Sequence, residues 1–178
     1  MKDLKAFNIH YVGLKEESHL FEYQIENKFF EAFNFDEFFD ANIQVALTLN
    51  KKSTMLHLLF EAKGTVNVTC DVSGENFDQE IKTTLPLIVK FGEAYNDDNE
   101  EILILPYSEF QLNVAQYIYE MIVLAVPSKR VHPKVLDGTM ESEALKKLET
   151  LRVTEKKSTE NVDPRWDKLK SLLTEKKT

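Results

Sequence analysis

The sequence predicts an α+β fold: an antiparallel sheet or partly closed β-barrel, one packed helix, and an extended, partly helical C-terminal tail. Three observations predict it. Apolar residues alternate with polar ones in segment after segment up to residue 106, with short turns between. From Asn113 the period changes to that of a helix. After Pro127 the composition becomes polar and basic. Twelve Phe and six Tyr against five Gly agree with a β-rich body that has few tight turns.

Leu4 to Val12 places Phe7, Ile9 and Tyr11 on one side and Asn8 and His10 on the other, the pattern of a half-buried strand. GLKEESH turns the chain. LFEYQIE then alternates Phe21, Tyr23 and Ile25 with Glu22, Gln24 and Glu26, a second strand expected antiparallel to the first. FFEAFNFDEFFD holds Phe29, Phe30, Phe33, Phe35, Phe38 and Phe39, too crowded a set for solvent. A strand end and a short irregular or helical turn plugging one edge of the core is expected.

NIQVALTLN has Ile43, Val45, Leu47 and Leu49 in period two, and Asn50–Ser53 reads as a hairpin connection. TMLHLLFEAKG returns, and GTVNVTC continues it with Val66, Val68 and Cys70 inward. DVSGENF turns. QEIKTTLPLIVKFGE is a long strand that Pro86 must interrupt or place on an edge, because proline donates no ladder bond. AYNDDNEE is an acidic loop, and EILILP a short strand. Asn113 is a candidate N-cap for a helix whose stripe is Val114, Ile118, Met121, Ile122 and Ala125, with Pro127 ending it. SKRVHPKVLDG follows, then MESEALKKLETL as an amphipathic helix and RVTEKKSTEN as a linker. In DPRWDKLKSLL, Asp163 is the N-cap of a last helix and Pro164 its first residue.

The 178 residues thus divide into an acidic β-rich α+β body, 1–127, and a basic tail, 128–178, with a linker and a short terminal helix. The body carries 9 Lys/Arg against 21 Asp/Glu, the tail 13 against 9. The asymmetry points either to an anionic partner for the tail or to a tail folded electrostatically onto its own body. No apolar run approaches the ~20 residues that span a bilayer, so no membrane partner is expected. MKDLKAFNIHYVG lacks the apolar stretch of a signal peptide, and Cys70 is the only cysteine. A cytoplasmic location is the expectation.

Catalytic patterns are missing. His10, His19, His57 and His132 are not paired at metal-ligand spacing. There is no G-x-S-x-G elbow and no glycine-rich phosphate loop, and the run Asp97, Asp98, Glu100, Glu101 lacks the ligand order of a calcium loop. The expectation is no enzyme, no metal and no cofactor. Cys70 reads as a small buried hydrophobe. Where a second thiol would start a zinc knuckle, Ser73 stands. Basic and aromatic residues interleave only in the tail: Lys129, Arg130, His132, Lys134, then Arg165, Trp166, Lys168 and Lys170. Guanidinium contacts to phosphate and stacking on Trp166 suit RNA. Trp166 stapling the last helix to the body, with the lysines in water, explains the same residues.

GTVNVTCDVSGENF, LIVKFGE, LNVAQYIYEMIVLAVPSKRVHP and DPRWDKLKSLL occur in an order that resembles the YceD-like family, named for accumulation of the large ribosomal subunit RNA. The resemblance covers about Gly64 to Leu173. It is carried most by Asp163, Pro164, Arg165, Leu169 and Leu172, and by Leu124 and Pro127 with Glu120 upstream. It implies a non-enzymatic ribosome-biogenesis factor supporting synthesis, processing or stability of 23S ribosomal RNA by binding. The partner is then a ribosomal RNA precursor or a large-subunit ribosomal protein. The candidate contacts are Arg130, Lys134, Arg165, Trp166 and Lys168; Cys70, Glu120, Asp163 and Pro164 are the structural motif. The alternative is an adaptor whose acidic body holds a basic ribosomal protein without contacting RNA. Family members commonly carry C-x-x-C at the strand end and a second cysteine group after the proline. Here only Cys70 remains, and 128–161 has no cysteine.

Overall fold

A computed structural model describes residues 3–99 and 101–151. The chain divides into two compact units, Met1–Ser142 and Glu143–Thr178. The first contains all the strands among the described residues: β1 Asn8–Ile9, β2 Ser18–Glu26, β3 Asp40–Lys51, β4 Met55–Thr69, β5 Asn76–Gly92, β6 Asn96–Asn99, β7 Ile102–Pro106 and β8 Leu112–Asn113. Its helices are α1 Asn27–Glu31, α2 Ala115–Ala125 and α3 Pro133–Leu136. In the second unit the described helix is α4, Glu143–Leu151, which buries none of its residues.

Six strands form one open sheet in the order β2-β3-β4-β5-β7-β6, and β1 pairs with β8 separately. The class is mixed α and β as expected, but the sheet ends at β2 and β6 and no closed barrel forms among the described residues. Nor is it wholly antiparallel, since β5 and β7 run parallel, Ile88 opposite Ile102 through Gly92 opposite Pro106. The composition of β6, NDDN, explains this arrangement. A strand without an apolar side chain gains nothing from burial and goes to the edge, while ILILP is inserted beside β5 and buries Leu103 and Leu105.

The hairpins run as the alternation predicts. Ile43, Val45, Leu47 and Leu49 of β3 are buried, as are Val66 and Val68 of β4 and Cys70 just beyond it. The two segments meeting at Gly64 form one continuous strand, β4, opposite both β3 and β5. β5 also runs unbroken through Pro86. The Ile88 N–H donates to Glu101 O at 2.8 Å, on the β7 side. Residues two apart in a strand direct their N–H groups the same way, so the Pro86 nitrogen faces that side too, before β7 begins, where no strand needs a donor.

Two expectations change. Leu4–Val12 is no extended strand: Asp3–Phe7 is a 3₁₀ turn followed by the two-residue β1, which pairs with β8 instead of β2. Phe7, Ile9 and Tyr11 are nevertheless buried. AYNDDNEE contains a strand, β6, rather than only a loop. Of the crowded phenylalanines, Phe29, Phe30 and Phe38 are buried on and beside α1, whereas Phe39 is 60% exposed.

α2 lies on the sheet, burying Ala115, Ile118, Met121 and Ile122. Asn113 serves its start, its Oδ1 accepting the Ala115 N–H at 3.0 Å, although Val114 is the first flanking residue. Among the described residues no helix is long and apolar enough to cross a membrane.

Candidate functional site

The chain leaves α2 at Pro127 and crosses the turn between β4 and β5. That turn is shaped by Cys70 N–H donating to Glu75 O at 2.8 Å and Gly74 N–H to Cys70 O at 2.9 Å. Gly74 has φ +75°, a conformation that costs a side chain-bearing residue and suits glycine. Asp71 then clasps the crossing strand. Its N–H donates to Arg130 O at 2.8 Å, and its Oδ2 accepts the Arg130 N–H at 2.6 Å.

The Arg130 guanidinium is spent within the molecule. Nη1 lies 3.4 Å from Glu37 Oε2, and Nε lies 3.8 Å from Asp71 Oδ1. Both carboxylates are substantially exposed, so these pairs add at most about 1 kcal/mol of stability; the backbone bonds to Asp71 fix the path. Lys134 stands one step further on. His132 Nδ1 accepts its N–H at 3.0 Å, capping α3, and Pro133 takes the first helical position. The Lys134 carbonyl accepts N–H groups from Thr139 and Met140, each at 3.0 Å. Its side chain, like that of Lys129, is exposed. Arg130 and Lys134 therefore share one ordered segment but differ in role. Arg130 holds the segment down, and Lys134 is directed to solvent.

Beneath this segment lies Cys70. Its Sγ accepts the Ser73 N–H at 3.4 Å and the His132 N–H at 3.3 Å. Burial pushes the thiol pKa up. The N–H groups of His132, Ser73 and Val72 and the Ser73 hydroxyl outweigh that and bring it down to about 7. The sulfur thus joins the β4–β5 turn to the chain after α2. Ser73 occupies the second position of the C-x-x-C spacing and donates to Cys70 rather than supplying a thiolate. Among the described residues no three His, Cys, Asp or Glu are grouped to hold a metal ion.

The thiol carries a pH prediction. A folded-state pKa below the free value stabilises the fold fully above the unfolded pKa of about 9, and loses that contribution as pH falls through about 7. Stability to urea is therefore expected to rise between pH 7 and pH 9, and the rise to vanish in Cys70→Ala. Thiolate absorbance in the folded chain is expected to titrate near neutrality. A midpoint at the free-cysteine value would show that the N–H groups do not hold the sulfur.

Glu120 lies on the exposed face of α2, where its carboxylate accepts from Gln116 one turn earlier. It does not meet Cys70 or the Arg130 segment and instead borders a groove against β6 and β7. Asp163, Pro164, Arg165, Trp166 and Lys168 lie outside the described residues. Local sequence reading missed Asp71 and Glu37, the partners that occupy Arg130. Their only signal was an excess of carboxylates in the body and a basic pair after the helix, with nothing to match one to the other.

No curated protein and no solved structure matches the chain. A family model, described as large ribosomal RNA subunit accumulation protein YceD, matches residues 58–173. The match takes in the β4–β5 hairpin with Cys70, helix α2, the clasped segment at Arg130 and the DPRW motif. Extending over well over half of the sequence, it shows that the chain belongs to the YceD family of large ribosomal RNA subunit accumulation proteins.

Proposed function

We propose that the protein supports accumulation of large-subunit ribosomal RNA by binding, without catalysis and without a cofactor. The family description names accumulation and no reaction. The observation that carries the binding reading is the division of charge: 9 Lys/Arg against 21 Asp/Glu in residues 1–127, and 13 against 9 in 128–178. The acidic body repels a polyanion at long range, which leaves the basic segment as the contact. In this reading Arg130 anchors the start of that segment, and Lys134 with Arg165, Trp166 and Lys168 meets the RNA, the indole as a stacking surface and the cations on phosphates.

The test is crosslinking in cells with the full chain carrying Arg165→Ala, Trp166→Ala and Lys168→Ala. Recovery of precursor ribosomal RNA is expected to fall by about tenfold, the loss of a stacking contact and two phosphate contacts, with an unchanged circular dichroism spectrum and unfolding midpoint. Undiminished RNA recovery from the folded variant would sink the reading. RNase treatment before recovery separates it from an adaptor: a ribosomal protein that stays bound after RNase is held by protein alone.

A further inference from the structure

On the far side of α2 from the clasped segment, the sheet extends past the helix. β7 and the edge strand β6 continue it, and the gap between α2 and these strands is a groove of about 760 Å³. It is lined by Leu85 and Leu87 of β5, Leu103 and Leu105 of β7 and Met121 and Leu124 of α2. Leu87, Leu103, Leu105 and Met121 are already buried in the core, so the apolar surface it presents comes from half-buried Leu85 and from Leu124. Leu124 is 83% exposed, more than any other large apolar side chain described. The rim is acidic. Asp97 comes from β6, Glu109 from the loop before β8 and Glu120 from α2, and no lysine or arginine is among the lining residues described. Tyr95 donates its hydroxyl to Asp97 Oδ2 at 3.0 Å, fixing that carboxylate. Burial pushes the pKa of the Tyr117 hydroxyl up, and the carboxylates of Asp97 and Glu120 raise it further.

We propose that this groove is a docking site for a cationic amphipathic segment of another protein, whose leucine-like side chains cover Leu124 and Leu85 while its lysines or arginines meet Asp97, Glu109 and Glu120. An apolar trough with carboxylates on both lips selects such a segment by charge complementarity and rejects nucleic acid, whose phosphates would face three carboxylates. It also fits poorly with the chain's own residues 163–173, where Arg165, Lys168 and Lys170 are offset by Asp163 and Asp167. The site goes beyond the RNA-binding reading and does not rest on it. A factor with this groove holds a basic protein on one surface while its tail engages RNA through another.

The probe is a labelled synthetic helix of lysine and leucine with leucines at i, i+3, i+4 and i+7, added to the full chain and followed by fluorescence anisotropy. Two controls replace its lysines by glutamate, or its leucines by serine. The lysine–leucine helix is expected to bind, and each control to bind at least about tenfold more weakly. Asp97→Lys with Glu120→Lys, and separately Leu124→Ser, are expected to weaken binding by a similar factor. Glu16→Lys with Glu17→Lys, the same charge change on an exposed turn, is expected to leave it unaltered.

No binding overturns the proposal, as does equal loss in both charge-reversed pairs, which would mean general attraction. It is also overturned if single-stranded RNA displaces the helix competitively, or if Leu124→Ser abolishes a concentration-dependent dimer. A gain in affinity in Trp166→Ala, Leu169→Ser, Leu172→Ser would place the chain's own tail in the groove and overturn it too. Ribosomal RNA recovery by Leu124→Ser, measured in parallel, is expected to be unchanged, so failure here and failure of the RNA reading remain distinct.

Discussion

Gly64→Ala is expected to destabilise the protein by at least about 3 kcal/mol, the range in which single changes abolish marginal folds. Gly64 sits mid-strand in β4, opposite Ile43 of β3 and Ile81 of β5. A Cβ there would lie 2.2 Å from the Asn42 carbonyl oxygen and 2.6 Å from the Ile43 Cα. Both are backbone atoms of a central strand, so no side chain can rotate away. Relief requires β3 to move, which breaks a ladder running from Asp40 to Lys51. In an ordinary strand the same change removes an entropic penalty and is mildly favourable. Here the sign reverses because the two backbones touch. Urea unfolding followed by circular dichroism measures the loss. Gly13→Ala, with nothing within 4 Å of the new atom, is the control and is expected to change stability by no more than about 0.5 kcal/mol. A Gly64→Ala protein as stable as the parent would contradict the close approach of β3 and β4.

Phe30→Ala is expected to cost about 3–5 kcal/mol. Phe30 is completely buried on α1. Its ring meets Phe38 edge-on at 4.9 Å and Phe29 edge-on at 5.4 Å, with Phe35 at 6.1 Å and Tyr119 of α2 at 6.4 Å. Phe33 stacks on the same tyrosine at 4.4 Å. Removing Phe30 takes the shared member from a cluster that ties the α1 region to α2, and the rigid rings left behind cannot collapse into the hole. The unfolding midpoint reads the effect, with Phe39→Ala as the contrast: that ring is largely in solvent and its loss is expected to be nearly neutral. Equal effects of the two changes would mean that the cluster is not the packing centre it resembles.

Much of the sheet was legible because one of its faces is buried. In β3 a strict two-residue period admits one orientation, and Ile43, Val45, Leu47 and Leu49 all point inward. α2 was legible from the stripe through Ile118 and Ile122. The N-terminal stretch shows the limit of such reasoning. Its inward residues Phe7, Ile9 and Tyr11 were identified, yet the backbone beneath them is mostly a 3₁₀ turn, since burial of a side chain does not dictate which carbonyl its amide meets. β6 left no periodic trace because none of its four residues is apolar. The parallel pairing of β5 with β7 is a choice between edges, made by comparing strands and not by any residue alone. The site follows the same division. Lys134 and Arg130 stand out locally as basic residues around a His-Pro. The lock on Arg130 depends on Asp71, 59 positions away, and a separation of that kind leaves no local signature.

The strand NDDN has a consequence for how these molecules meet one another. At one margin of the sheet stand Asp97 and Asp98, at the other Glu22 and Glu26 of β2. Were two copies to stitch their margins into a continuous ribbon, carboxylates would be brought opposite carboxylates with no intervening cation from either strand. Fibril-like growth is opposed at both margins by the same acidity that the body carries throughout.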